Sequence, residues 1–430
     1  MSTIKIYLLS LLSLVAFTCE AQIPYRAPKQ DSAILVYGAK LHTGTGQVIE
    51  TGIVEFINGK ITFIGTAVDV GDRVHHDKLI NATGKHVYPG LIAMNTYLGL
   101  TEVEAVRATS DYGEVGQYNA DLRSIIAYNA DSKVIPTVRS NGVLLAQVVP
   151  QGGVISGTSS IVQLDAWNWE DAAYKSDEGI HLNWPSYFSR FNEEPNSSAA
   201  NDKYDQQVDN IRQYFAQAKA YAQTTNPAQV NLRFEAMKGL FNGQKSLYIR
   251  ANFVKEIMGA ILFARKFEVK LIIVGGIESM KCIDLIKQNN IPIVLHRTQA
   301  LPITKDDEVY QVYTLPSKLQ KAGVQYCISE GGFWQQRNLP FEAGQAAAFG
   351  LTQEEALSAI TINPARIMGI DKTTGSLEVG KDANLVICDG DILDMQSNHI
   401  IMEFIQGRQV DLYNSQEQLY DTYRKKYGIK

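Results

Sequence analysis

Residues 85–100 read KHVYPGLIAMNTYLGL, and this stretch decides the fold. Its centre, residues 87–94, is an apolar run of the length of one buried strand, and the chain turns polar at Asn95. Proteins built on α/β barrels keep their functional side chains just past the carboxyl ends of the strands. We therefore expect Asn95 and Tyr97 to face a functional site.

The composition is that of an ordinary globular protein. The chain has 430 residues, of which 45% are hydrophobic and 20% charged, and this length suits a large barrel with a companion domain. The formal net charge is −5, and the sequence contains no run of Lys and Arg. These features predict no nucleic-acid partner.

Residues 1–21 have the pattern of a signal peptide. Lys5 precedes an apolar stretch at 6–17, and Ala21 is a small residue suited to cleavage before Gln22. The stretch is shorter than the roughly 20 residues of a membrane-spanning helix. We expect a protein exported to the periplasm or the medium, without membrane attachment after cleavage; an uncleaved anchor and acylation of Cys19 are the alternatives.

Four cysteines lie at positions 19, 282, 327 and 388, and three remain after the predicted cleavage. An odd, widely spaced set predicts neither a disulfide framework nor a zinc site.

Both ends of the chain are rich in β-structure patterns. Residues 34–70 contain two apolar runs joined by Asn58-Gly59, a strong hairpin signal, and residues 375–412 return to short apolar runs. We expect the two ends to meet in one small β-sandwich. The predicted organisation is a signal peptide at 1–21, a sandwich composed of 22–88 and 366–412, an α/β barrel at 89–365 and a C-terminal helical segment at 413–430.

In the middle of the chain, short apolar runs alternate with helical stretches, which predicts βα units and a parallel sheet. A (β/α)8 TIM-like barrel needs eight strands, and seven can be identified, so one is hidden or misread. The predicted strands are 87–94, 143–149, 160–164, 247–251, 271–274, 293–295 and 324–328.

Residues 109–140 are polar and too long for an ordinary loop. Tyr and Arg are enriched at interface hot spots, and this segment is rich in both. We expect it to cover the barrel mouth or a neighbouring subunit, in a homo- or hetero-oligomer with a related barrel; a solvated loop is the alternative. The residues concerned are Tyr112, Tyr118, Arg123, Tyr128 and Arg139 within the segment and Arg107 just before it.

Three stretches together resemble one family. They are the frame VYPGLI at 87–92, TINPA at 361–365 and GSLEVGKDANL at 375–385, in the order and at the distances found in the amidohydrolase superfamily of metal-dependent hydrolases. The chain is most similar to the imidazolonepropionase-related branch. The resemblance implies a TIM barrel and hydrolysis of C–N bonds in cyclic amides, ureas or dipeptides, normally with zinc.

The metal ligands that the resemblance implies are replaced in this chain. The superfamily has an Asp and two His where this chain has Ala93, Asn95 and Tyr97, and further His and Asp ligands follow later strands. Those later positions carry Arg250 to Asn252, Ile277 followed by Glu278, and Glu330. We therefore predict no metal ligands and no cofactor, and an ion pair between Arg250 and either Glu330 or Glu278.

Of the seven histidines, His296 alone ends a predicted barrel strand, and Arg297 follows it. A single His is more often a hydrogen-bonded polar residue than a ligand, and a catalytic zinc needs three protein donors. The candidate catalytic residues are Glu330, Arg250 and Asn95, and the candidate binding residues are Tyr97, Asn252, Glu278, His296 and Arg297.

Three functions fit these residues. The first is a barrel without its metal that binds a small molecule or serves as a partner subunit, and we favour it because nearly every ligand is replaced. The second is an active hydrolase with Glu330 as general base and with Arg250 and Asn95 stabilising an oxyanion. The third is an exported carbohydrate- or peptide-binding protein that uses Trp167, Trp169, Trp184 and Tyr187.

Overall fold

The structure is a computed structural model that describes residues 26–70, 76–188, 200–302 and 307–429. The predicted signal peptide and Cys19 lie outside the described residues. Within the described ranges, no helix combines the length and the apolar composition needed to cross a membrane.

Strands dominate both ends of the chain, and strands and helices are mixed between them. The strands are β1 Ile34–His42, β2 Val48–Ile57, β3 Lys60–Thr66, β4 Lys78–Asn81, β5 His86–Pro89, β6 Leu91–Thr96, β7 Val143–Val148, β8 Ile155–Gln163, β9 Ala173–Asn183, β10 Ser246–Ala251, β11 Leu271–Gly275, β12 Ile293–Leu295, β13 Tyr326–Ile328, β14 Leu385–Cys388, β15 Ile400–Ile405 and β16 Arg408–Val410. The α-helices are α1 Ala67–Val70, α2 Ser124–Ala127, α3 Val134–Arg139, α4 Trp169–Ala172, α5 Tyr204–Ala222, α6 Leu232–Phe241, α7 Val254–Phe267, α8 Ile283–Gln288, α9 Gln311–Ala322, α10 Leu339–Ala348, α11 Gln353–Ser358, α12 Ile362–Met368 and α13 Ser415–Tyr427. Short 3-10 helices lie at Arg107–Thr109, Ser279–Cys282 and Gln335–Asn338.

The two ends of the chain form one sheet. Its strand order is β16-β15-β14-β5-β1-β2-β3, and β4 pairs with β1. The antiparallel pair of β14 and β5 joins the ends, and Phe56 meets Phe404 edge-on at 5.0 Å in the core of this sheet. Asn58 and Gly59 form the predicted hairpin turn between β2 and β3, both with positive φ. The pairings describe a single sheet, and the two-layer sandwich stays a prediction.

The second sheet is the barrel, with strand order β13-β12-β11-β10-β9-β8-β7-β6. Its neighbours are parallel, except that β8 runs antiparallel to both β7 and β9. The strand predicted at 160–164 is the end of β8. The eighth strand, which the sequence analysis did not identify, is β9. The first half of β9 is polar, and only its second half is buried, so it lacks the continuous apolar run that marks a parallel strand.

The barrel is nearly closed by a short segment after α11. The backbone N–H of Ile328 in β13 donates to the carbonyl of Ala359 at 3.0 Å, and the N–H of Ile92 in β6 donates to the carbonyl of Ile360 at 2.9 Å. Residues 359–360 therefore bridge the first and last strands at the start of the TINPA stretch.

Residues 109–140 pack against the barrel. Tyr128 and Arg139 are buried, and Arg139 donates to the carbonyl of Leu164 and to Asp165. Tyr118 stacks on Tyr214 with ring centroids 4.3 Å apart. These anchors hold the segment to its own chain, so they are not free to contact another subunit. Oligomer formation, and the part that the other residues of this segment play in it, stays a prediction.

Candidate functional site

The carboxyl ends of the parallel barrel strands meet at one face, which we call the mouth. Strand β6 brings Asn95 there, β10 brings Arg250, and His296 and Glu330 follow β12 and β13 directly. The sequence placed these four residues at strand ends correctly. The structure decides which of them are in contact.

Arg250 is the central charge of the mouth. Its Nη1 donates to Gln151 Oε1 at 2.6 Å, and its Nη2 donates to Asn95 Oδ1 at 3.0 Å. Its Nε is buried and has no hydrogen-bond partner among the described residues. Burial lowers the pKa of Arg250 to about 10, so the side chain remains charged at neutral pH.

The predicted ion pair of Arg250 with Glu330 or Glu278 is wrong. Arg250 binds two neutral amides instead. Glu278 is engaged elsewhere: it accepts from the backbone N–H of Val254 at the start of α7 and pairs with Lys281. A carboxylate is favoured there because the first N–H groups of a helix have no partner within the helix.

Glu330 is also held by its own surroundings. Its carboxylate is buried and accepts from the backbone N–H groups of Gly331 and Gly332. Burial raises the pKa of Glu330, and the charge of Glu342 raises it further, while Arg297 and the two N–H groups oppose the rise. Glu330 is thus held by the backbone of its own loop and is not the partner of Arg250.

Asn95 occupies a special backbone conformation. Its φ is 55°, in the left-handed region that Asn tolerates better than most residues. Its side chain is buried, and its backbone N–H donates to Gln147 Oε1 at 3.1 Å. The amide that contacts Arg250 is therefore fixed by the strand end and by a neighbouring strand.

A buried polar network lies behind Asn95, inside the barrel, and the sequence analysis missed it. Glu178 accepts from Gln147 at 2.6 Å, from Ser159 at 2.5 Å and from Tyr248 at 2.9 Å. Burial raises the pKa of Glu178. The available signal was the presence of polar residues inside apolar strands, such as Gln147 within VLLAQV.

Two histidines lie close enough to Arg250 for its charge to act on them. His181 is in β9, stacked on Tyr248 with ring centroids 4.5 Å apart, and its Nε2 lies 2.9 Å from Ser159 Oγ. Burial and the charge of Arg250 lower its pKa well below the usual value. Burial, Arg250 and Arg297 lower the pKa of His296 to about 4. Both rings are neutral at pH 7, which leaves Arg250 as the inner cation.

Aromatic side chains form one rim of the mouth. The ring of Tyr97 lies 5.3 Å from that of Tyr112 and 5.5 Å from that of Phe333. Burial and the nearby Glu104 raise the pKa of Tyr97 to about 12. The backbone of Tyr112 also accepts from the N–H of Gln151 at 2.7 Å. The long polar segment therefore reaches the mouth through Tyr112.

The other two candidate binding residues differ in their surroundings. Asn252 donates its backbone N–H to Glu256 at 3.0 Å, and its buried side-chain oxygen has no partner within the described ranges. Arg297 is exposed. The loop after it is fastened by Glu342, which accepts from the backbone N–H groups of Thr298 and Gln299; the sequence analysis missed this residue.

Zinc, the usual metal of the resembled family, does not fit this donor set. A catalytic zinc takes three protein donors, and no group of three His, Cys, Asp or Glu residues in the described part of the chain is arranged to hold a metal. Asn95, at the position of the first expected ligand, accepts a hydrogen bond from Arg250. The fixed positive charge would repel a cation at this place.

Comparison with known proteins agrees with the fold and the sequence frame. Residues 335–412 match the model of the Amidohydrolase family. Imidazolonepropionase from Thermoplasma volcanium is 25% identical over 383 residues, which cover 82% of this chain and 89% of the relative. N-acetylglucosamine-6-phosphate deacetylase from Rattus norvegicus is 41% identical over 58 residues, only 14% of the length of each protein.

Among solved structures, an amidohydrolase from Thermotoga maritima superposes with a TM-score of 0.74 at 23% identity, over 88% of this chain and 99% of that one. Molinate hydrolase gives a TM-score of 0.56 at 14% identity, over 90% and 96% of the two chains. The class is thus that of TIM-like barrel proteins with the amidohydrolase fold. The family match at residues 335–412 and the similarity to imidazolonepropionases support the resemblance of this sequence to the imidazolonepropionase-related branch of the amidohydrolase superfamily.

Proposed function

We propose that the barrel mouth binds a small organic anion, such as a carboxylate, without a metal ion, and that the chain is not a hydrolase. The observation that carries this proposal is the isolated charge of Arg250. Its two bonded partners, Asn95 and Gln151, are neutral.

An ionised group that is buried without a counter-charge costs several kcal/mol, so buried charges are normally paired. No carboxylate in the described part of the chain forms an ion pair with Arg250, and the nearby His181 and His296 are neutral. A bound anion would supply the missing charge. The guanidinium suits a carboxylate because its planar N–H groups match the two oxygens.

The aromatic rim of the mouth suits the uncharged part of such an anion. Small-molecule sites combine apolar and aromatic walls with a few fixed polar groups. Tyr97, Tyr112 and Phe333 supply the aromatic wall, and the unpartnered oxygen of Asn252 is a further acceptor near the carboxyl end of β10. This arrangement favours an anion that also carries an apolar or ring-shaped part.

The two other functions have less support. Glu330 has no hydrogen bond to Arg250 or Asn95 among the described contacts, so the expected base and oxyanion groups do not form one constellation. Trp184 is buried and donates to Tyr204 at 3.0 Å, and Trp169 packs against the core. These aromatic residues act as internal anchors rather than as a platform for a sugar.

A panel of small mono- and dicarboxylates and their matched amides, screened by thermal shift and then by titration calorimetry, tests the proposal. We expect carboxylates, and not the amides, to raise the melting temperature. Arg250→Gln should weaken carboxylate binding by roughly 10- to 100-fold, since hydrogen bonds to charged groups contribute about 1.5–3 kcal/mol.

Arg212→Gln is the matched control. Arg212 is exposed on α5 and pairs with Asp209, so its loss should leave binding unchanged. Equal binding of carboxylates and amides, or equal losses in the two variants, would contradict the proposal.

A further inference from the structure

Helix α13 lies on the surface and is fastened mainly at its beginning. The side chain of Asn414 caps it by accepting from the N–H groups of Gln416 and Glu417. Thr137 donates to Gln416 at 2.5 Å, and Asn414 donates to Ser140 at 3.2 Å. Within the described part of the chain, no residue of this helix is buried.

A stripe of one leucine and three tyrosines runs along α13. Tyr420, Tyr423 and Tyr427 recur at spacings of three and four, and Leu419 lies four residues before Tyr423, which places all four within an arc of about 100° on one face of the helix. Each of these side chains is more than half exposed, at 52% to 65%. A surface helix normally packs such a stripe against the protein core, and here all four side chains stay exposed.

The charges beside the stripe are self-complementary. Glu417 and Arg424 lie seven residues apart, which is close to two turns, so both flank the stripe on the same side. When two such helices pack antiparallel about a two-fold axis, each Glu417 faces the Arg424 of the other copy. A parallel pair would instead bring the basic ends, Arg424 to Lys426, together.

From this pattern we infer that a second copy of this chain binds α13, as an antiparallel helix pair with the tyrosine stripe at its centre. The pair forms an isologous interface, in which the same patch of each copy meets the other. The inference is independent of the ligand proposed for the mouth.

Sedimentation velocity of the mature chain over a range of micromolar concentrations tests it. We expect a concentration-dependent dimer. Arg424→Glu should weaken the dimer roughly tenfold, because an exposed ion pair contributes up to about 1 kcal/mol and the two-fold axis repeats it. The reciprocal variant Glu417→Arg/Arg424→Glu should restore association, since it rebuilds the same contacts in reverse.

Lys425→Glu is the control. It makes the same charge change on the next residue, about 100° around the helix and away from this flank. Circular dichroism checks that each variant keeps its helix content. A monomer at all concentrations would overturn the inference. So would a dimer that responds equally to Arg424→Glu and Lys425→Glu, or one that the reciprocal variant fails to restore.

Discussion

At the scale of single residues, His296 makes the mouth sensitive to acid. Burial and two nearby arginines lower its folded-state pKa to about 4, against 6.5 for the unfolded chain. As the pH falls, His296 therefore takes up a proton in the unfolded chain before it does so in the folded one. The free energy of unfolding is highest above pH 6.5 and decreases as the pH drops towards 4. We expect His296→Asn to lose less stability than the wild type between pH 7 and pH 4.5.

Urea unfolding at the two pH values measures this difference. The same loss of unfolding free energy in both proteins would show that His296 does not titrate in this way. A bound anion should raise the pKa of His296, and NMR of the imidazole protons measures that change.

Sequence reasoning identified which residues stand at the strand ends, but not which of them touch. Strand periodicity fixes where Arg250 and Asn95 emerge. The partners of Arg250 depend on loop geometry, and Gln151 comes from the loop between β7 and β8. Glu278 was expected at the mouth, but its side chain binds the first backbone N–H of α7. Gly275 and Gly276, both with positive φ, turn the chain between the end of β11 and Glu278.

At the scale of elements, β15 carries a buried carboxyl group that joins the two sheets. Glu403 accepts from the N–H of Gly142, which leads into β7, and its second oxygen has no partner in the described part of the chain. Burial raises its pKa to about 8, and Arg139 and the Gly142 N–H oppose the rise. The folded state therefore holds a proton that the unfolded state releases above pH 4.5.

Stability should consequently fall as the pH rises from 4.5 through about 8. We expect Glu403→Gln, which keeps an acceptor for Gly142 and cannot ionise, to be more stable than the wild type at pH 9 by on the order of 2 kcal/mol, with a much smaller difference at pH 5. Thermal unfolding across this range provides the measurement. A constant difference at all pH values would mean that Glu403 is not protonated in the folded chain.

Some of the helices and strands could be predicted from the sequence. The hairpin at Asn58-Gly59 and the helix at residues 415–427 lie where their patterns place them. Strand β9 escaped detection because its first half is polar and its neighbour β8 runs antiparallel, so the pattern of alternating strands and helices breaks there. The pattern of apolar residues within a strand does not indicate whether that strand runs parallel or antiparallel to its neighbours.

At the scale of the whole molecule, the motifs shared with the superfamily position the scaffold. The TINPA stretch lies beside the closure of the barrel, and the stretch after it leads into β14, which pairs with β5 just before β6. Scaffold motifs fix a fold without fixing its chemistry. Export through residues 1–21 stays a proposal, as does the absence of hydrolysis.

In the proposed function, Arg250, rather than a metal ion, is the cation of the mouth. Elemental analysis of protein purified without chelators tests this claim most directly. We predict no stoichiometric zinc or other transition metal after dialysis, in the wild type and in Asn95→Ala alike. Stoichiometric zinc that survives dialysis of the wild type and is lost in Asn95→Ala would contradict the claim.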